Sequence, residues 1–77
     1  MSEANGAGDT LTIQLNGEAR TCPPRLPLLE VLLHFGYEPR LVVVEFNGEI
    51  LPRSAWAEQV VGGDAVLEVV TIVGGGS

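Results

Sequence analysis

The stretch that decides the fold is Leu11-Thr12-Ile13-Gln14-Leu15-Asn16-Gly17-Glu18-Ala19-Arg20-Thr21-Cys22, followed past Pro23 and Pro24 by Leu28-Leu29-Glu30-Val31-Leu32-Leu33-His34-Phe35-Gly36. Apolar and polar residues alternate in its first part, which places Leu11, Ile13 and Leu15 on one face of an extended strand. Asn16-Gly17 favours a two-residue type I′ turn, whose central positions both need positive φ, so Glu18 to Cys22 is expected to return as the second strand of a hairpin. Pro23 and Pro24 end that strand, because proline donates no ladder hydrogen bond. From Pro27 the period changes. Leu28, Leu29, Leu32, Leu33 and Phe35 recur at spacings of three and four, predicting the buried face of a helix that Gly36 caps.

Outward from this unit, Tyr37 to Arg40 reads as a loop, and Leu41-Val42-Val43-Val44-Glu45-Phe46 as a central strand, being β-branched and too short for a helix. A second Asn-Gly, Asn47-Gly48, turns the chain into Glu49-Ile50-Leu51 before Pro52 breaks the run. Ser54 is expected to cap a short helical turn through Trp56 and Glu58, and Gly62-Gly63-Asp64 marks a turn. Ala65 to Val73 is the expected last strand. The order ββαβ(β)β describes a small α+β domain. Residues 10–73 form that domain, with residues 1–9 as a disordered leader and 74–77 as a flexible tail. The two segments Ile13 to Glu18 and Val44 to Glu49 both run strand, Asn, Gly, Glu. This is taken as turn chemistry rather than duplication.

Seventy-seven residues allow one core and no cleft between two lobes. The net charge is -6, and all four basic residues are arginine. Nucleic-acid or anionic-lipid binding through a basic patch is thereby excluded. One cysteine, Cys22, and one histidine, His34, are too few for an internal disulfide or a self-contained zinc site. The first nine residues lack the cationic start and apolar run of a signal peptide, and the longest aliphatic stretch, Leu41 to Val44, falls far short of the roughly 20 residues of a membrane span. A soluble cytoplasmic protein is expected, with no membrane partner.

Catalysis by this chain has little support. His34 is expected to be solvated or partly packed, and Cys22 to be a buried or edge thiol with no neighbour that would lower its pKa. The acids are spaced singly along solvated faces. Gly74-Gly75-Gly76 cannot be a phosphate loop, since no helix follows to hold the anion. It is instead a flexible arm without side chains after a firmly held strand. Val73 to Gly76 extends on the order of 13 Å, and without Cβ atoms it can thread a narrow channel in another protein. The same composition suits an inert linker.

The first Asn16-Gly17-Glu18 hairpin, the Leu-rich helix ending at Gly36, the segment Val43 to Trp56 with its Asn47-Gly48-Glu49-Ile50 and Pro52-Arg53-Ser54, and the terminal Ile72-Val73-Gly74-Gly75-Gly76 together resemble the thiamine-pathway sulfur carriers of the ThiS type. The resemblance runs from about Leu11 to Gly76. It implies a β-grasp, ubiquitin-like fold: a mixed sheet of four or five strands packed on one helix, with a glycine tail.

The resemblance also implies a chemistry. A partner adenylyltransferase of the ThiF type would use ATP to convert the terminal carboxylate of Gly76 into an acyl-adenylate, and sulfur from a persulfide donor would then displace AMP. The thiocarboxylate would serve a thiazole synthase of the ThiG type. Gly76, reached past Gly75 and Gly74, would carry the sulfur, and the chain would be a co-substrate with no bound cofactor or metal. The family's active form ends in glycine, whereas Ser77 follows Gly76 here, so either Ser77 is trimmed, or it is not native to the chain, or the chain is not competent as it stands. Docking is expected to use an apolar patch on the sheet, with Arg40 and Arg53 at its rim. Three alternatives remain open at this point: a carrier for molybdopterin or tRNA thiolation, a non-enzymatic β-grasp interaction module with an inert tail, and an enzyme acting through Cys22.

Overall fold

The computed structural model describes residues 10–72; the expected leader, Val73 and the glycine tail lie outside the described residues. Five strands form one mixed sheet: β1 (Leu11–Leu15), β2 (Glu18–Cys22), β3 (Val42–Phe46), β4 (Glu49–Ile50) and β5 (Val66–Thr71), in the order β2-β1-β5-β3-β4. One helix, α1 (Leu28–His34), packs its buried residues on one sheet face. This is the β-grasp arrangement. β5 runs parallel to β1 and antiparallel to β3, while β1–β2 and β3–β4 are antiparallel hairpins.

Both hairpins turn as the Asn-Gly pairs dictate. Asn16 and Gly17 have φ of 52° and 83°, and Asn47 and Gly48 have 52° and 90°, the left-handed pair that a type I′ turn requires. α1 also stops as expected. Gly36 takes φ 87°, its N–H donates to Leu33 O at 3.0 Å, and the Tyr37 N–H donates to Leu32 O at 2.9 Å. These are the two bonds of a Schellman cap.

Four local expectations need correction. The buried stripe of α1 is Leu28, Val31 and Leu32, whereas Leu29 and Phe35 are half-buried and Leu33 is 49% exposed. A seven-residue helix presents only its i, i+3, i+4 row to a flat sheet, and Leu33 lies well round the helix from Leu28. Leu41 belongs to a 3₁₀ turn, Pro39–Leu41, so β3 starts one residue later, although it lies inside the sheet between β5 and β4 as expected. Ser54 caps nothing: a 3₁₀ turn, Arg53–Ala55, starts after Pro52 with no side-chain cap. β5 is shorter than the expected strand, because Ala65 is held in the preceding turn by its N–H bond to Gly62 O.

Long-range contacts, not a capping side chain, satisfy the start of α1. The N–H of Leu28 donates to Gln59 O at 2.7 Å and that of Leu29 to Trp56 O at 3.1 Å, which supplies acceptors to otherwise unpaired first-turn donors. Trp56 itself is 2% exposed, and its indole Nε1 donates to Leu51 O at 2.9 Å. It thereby ties the turn after β4 to the helix. The core is completed by Ile13, Leu15, Cys22, Val42, Val44, Val61, Ala65, Leu67 and Val69, and among the described residues no polar or charged residue is buried.

Candidate functional site

β5 is the strand that leads towards the glycine tail, and two asparagine side chains hold it from opposite sides. On the β1 side the backbone ladder ends with the Asn16 N–H on Leu67 O at 2.9 Å. The Asn16 side chain continues it: Oδ1 accepts from the Val69 N–H at 2.7 Å and Nδ2 donates to Val69 O at 3.2 Å. On the β3 side the Asn47 N–H donates to Val66 O at 2.8 Å, and Asn47 Oδ1 accepts the Val66 N–H at 2.8 Å. Each amide extends a ladder after its own backbone has turned away, because an Asx side chain can imitate a peptide group. The repeated strand-Asn-Gly-Glu segment was the signal for this role. Turn chemistry alone does not account for it, since each asparagine side chain also bonds to β5.

The end of β5 is fixed by the N–H of Ile72 bonding to Leu41 O. Near that end, Val43 of β3 and Val70 of β5 stand opposite each other, on the sheet face away from α1, 37% and 63% exposed. Two residues further from the end, Glu45 and Glu68 form the next outward pair, with Ile50 of β4 opposite Glu45. The outward face therefore carries an apolar row beside the end of β5 and an acidic row behind it. Like charges directly opposite each other across a ladder repel.

Arg40 and Arg53 are brought together. An Arg53 Nη donates to the Arg40 carbonyl at 3.4 Å, and the Arg53 guanidinium lies 5.6 Å from the centre of the Trp56 ring, within cation–π range. Arg40 makes an exposed ion pair with Glu38 at 3.1 Å. Arg53 also borders a shallow depression of about 230 Å³ lined by Val42, Val43, Ile50, Leu51, Pro52 and Trp56. Arg53 thus borders the depression, and Arg40 is linked to it only through its backbone carbonyl.

The remaining candidates, His34 and Cys22, lie away from the outward face of the sheet. His34 is exposed at the end of α1 with its ring edge-on to Phe35 at 4.9 Å. Cys22 is buried, and desolvation pushes its thiol pKa up, which opposes formation of a nucleophilic thiolate. Among the described residues no His, Cys, Asp or Glu group is placed to hold a metal, and no helix is long and apolar enough to cross a membrane. Gly74, Gly75 and Gly76 lie outside the described residues.

Comparison with known proteins agrees with this arrangement. The chain is similar to a crystal structure of the thiamine biosynthesis protein ThiS from Geobacter metallireducens, with a TM-score of 0.73, 29% identity, and coverage of 86% of this chain and 100% of that one. It is 35% identical over 66 residues to an uncharacterized protein, ycf40, of Pyropia yezoensis, covering 93% of that protein. It is 36% identical over 67 residues to a thiazole synthase of Paramagnetospirillum magneticum, where the match spans only 21% of the larger protein. The ThiS family pattern matches residues 13–76. The chain belongs to the ThiS family.

Proposed function

We propose that this chain is a sulfur carrier for thiazole formation in thiamine biosynthesis, and that Gly76 carries the sulfur as a thiocarboxylate. Family membership supports the carrier role. The observation that carries the reading at residue level is the end of β5: the strand, held through Asn16 and Asn47, ends at Thr71 beside an apolar face, three residues before Gly74.

An adenylyltransferase would dock on the Val43–Val70 row, with Arg40 and Arg53 at the rim and its own cation over Glu45 and Glu68. The arm from Val73 to Gly76 would thread its active site. A glycine carboxylate is a poor electrophile. ATP, used by the partner, would make it an acyl-adenylate, and a persulfide donor would replace AMP with sulfur. The thiocarboxylate would then serve a thiazole synthase, a partner class supported by the similarity to the enzyme of that name. The chain contributes a held strand and a docking face rather than an acid or base.

Incubation with the adenylyltransferase, ATP and a sulfur donor should exchange one oxygen for sulfur in the intact mass of the form ending at Gly76. If neither that form nor the form with Ser77 gains sulfur, the proposal fails. Removing Gly75 to Ser77 separates it from an interaction module, which would keep its partner function without those residues.

A further inference from the structure

The two Asn-Gly turns share backbone geometry and differ in how their side chains are held, and we propose that this makes Asn47 a site of spontaneous deamidation while Asn16 is protected. The inference holds whether or not the chain carries sulfur.

Deamidation begins when the amide nitrogen of the following residue gives up its proton and attacks the asparagine Cγ. The side-chain nitrogen leaves as ammonia, and the ring formed is a succinimide. Water then opens either carbonyl, giving aspartate or the isoaspartate whose main chain runs through Cβ. The net change is asparagine plus water to aspartate plus ammonia, with no oxidant or reductant.

Glycine is the least hindered nucleophile, and a Cβ built at Gly17 or Gly48 would meet nothing within 4 Å. Neither glycine N–H is used in a turn bond among the described residues. The nucleophiles are equally open. The electrophiles are not.

Asn16 is held at both amide atoms. Its Oδ1 accepts from Val69 in a partly buried bond, and its Nδ2 donates to Val69 O and, at 3.4 Å, to the Tyr37 hydroxyl. Rotating Cγ towards Gly17 N breaks all of these. Asn47 is held through Oδ1 alone, in an exposed bond to the Val66 N–H, and among the described residues its Nδ2 donates to nothing. Both Oδ1 atoms accept a backbone N–H, so what distinguishes the sites is the leaving nitrogen, held at Asn16 and free at Asn47 among the described residues.

The products differ as well. Aspartate at 47 still accepts the Val66 N–H, so the hold on β5 survives with one more negative charge. Isoaspartate adds an atom to a two-residue turn and would take Ile50 out of register with Glu45. Aspartate at 16 would set an unprotonated oxygen against Val69 O.

The test is peptide mapping of the full chain aged in mildly alkaline buffer, counting aspartate and isoaspartate at each turn. Folded protein should lose Asn47 about fivefold to tenfold faster than Asn16, the factor expected for one or two further hydrogen bonds opened. In guanidinium chloride both sites, each followed by glycine, should react at similar rates. Equal rates in the folded chain, or faster loss of Asn16, would overturn the proposal. An imbalance that persists in denaturant would also do so, because it would then come from sequence and not from the fold.

Discussion

The side-chain amide of Asn16 pairs with both backbone polar groups of Val69, its Oδ1 accepting at 2.7 Å and its Nδ2 donating at 3.2 Å. β1 itself pairs with β5 only through Gln14 and Leu15, opposite Val66 and Leu67. A side chain therefore supplies the last contacts along the parallel seam, where β5 heads towards the tail.

Asn16→Gly keeps the left-handed turn, which glycine adopts freely, and removes only the amide. It should cost about 1–3 kcal/mol, two hydrogen bonds at partly buried groups. Asn47→Gly removes one exposed bond and should cost about 1 kcal/mol or less. Urea unfolding midpoints at unchanged slope give both numbers. Equal losses would contradict the difference in burial.

Much of this framework is legible in the sequence, because turn chemistry and side-chain period are local. Asn16-Gly17, Asn47-Gly48 and Gly36 each demand a positive φ that few other residues accept, and β1 shows its buried face by alternation. What is not legible comes from contacts distant in sequence. Leu33 counts as a core residue by spacing and lies exposed because the sheet covers only one row of α1. The helix start is satisfied by Trp56 and Gln59, and no local pattern signals an acceptor 27 or more positions away. The outward row was equally hidden, since Val43 and Val70 become neighbours only once β5 lies against β3. The glycine tail is visible in composition, and its chemistry only through family resemblance.

Trp56→Phe should cost about 1–2 kcal/mol, because it leaves the Leu51 carbonyl without its indole donor while preserving most of the buried ring. Trp56→Ala should cost about 3–5 kcal/mol, enough to unfold a marginal domain. As the single tryptophan, Trp56 should show blue-shifted fluorescence in the native protein and a red shift on unfolding. Circular dichroism of the variants then tests whether the 56–59 segment holds α1 in place.

Stability should fall at alkaline pH through Cys22. Burial favours the neutral thiol, so the folded pKa lies above its ordinary value near 9. Below that value both states keep the proton and the contribution is fully present. As pH rises past it the unfolded chain ionises while the folded chain does not, and stability is lost until the raised folded pKa is reached. Cys22→Val cannot ionise and should flatten this part of the pH profile. Native protein should also be alkylated far more slowly than unfolded chain.

If an adenylyltransferase docks as proposed, its binding should be lost on Val70→Glu with little change in fold. Val70 is 63% exposed and points away from α1, and the new carboxylate stands two residues from Glu68 on the same face, so the substitution should cost about 1 kcal/mol. At a covered interface the same change removes a buried valine and forces in a carboxylate, which should weaken binding at least about tenfold. Val66→Glu is the matched control. Val66 lies on the same strand and face, 42% exposed, but opposite Gln14 and four residues further from the exit. If docking centres on the row beside the tail, the Val66 variant should bind much more tightly than the Val70 variant by titration calorimetry. Equal weakening would place the contact along the whole of β5, and no weakening at Val70 would remove the outward face from the docking surface.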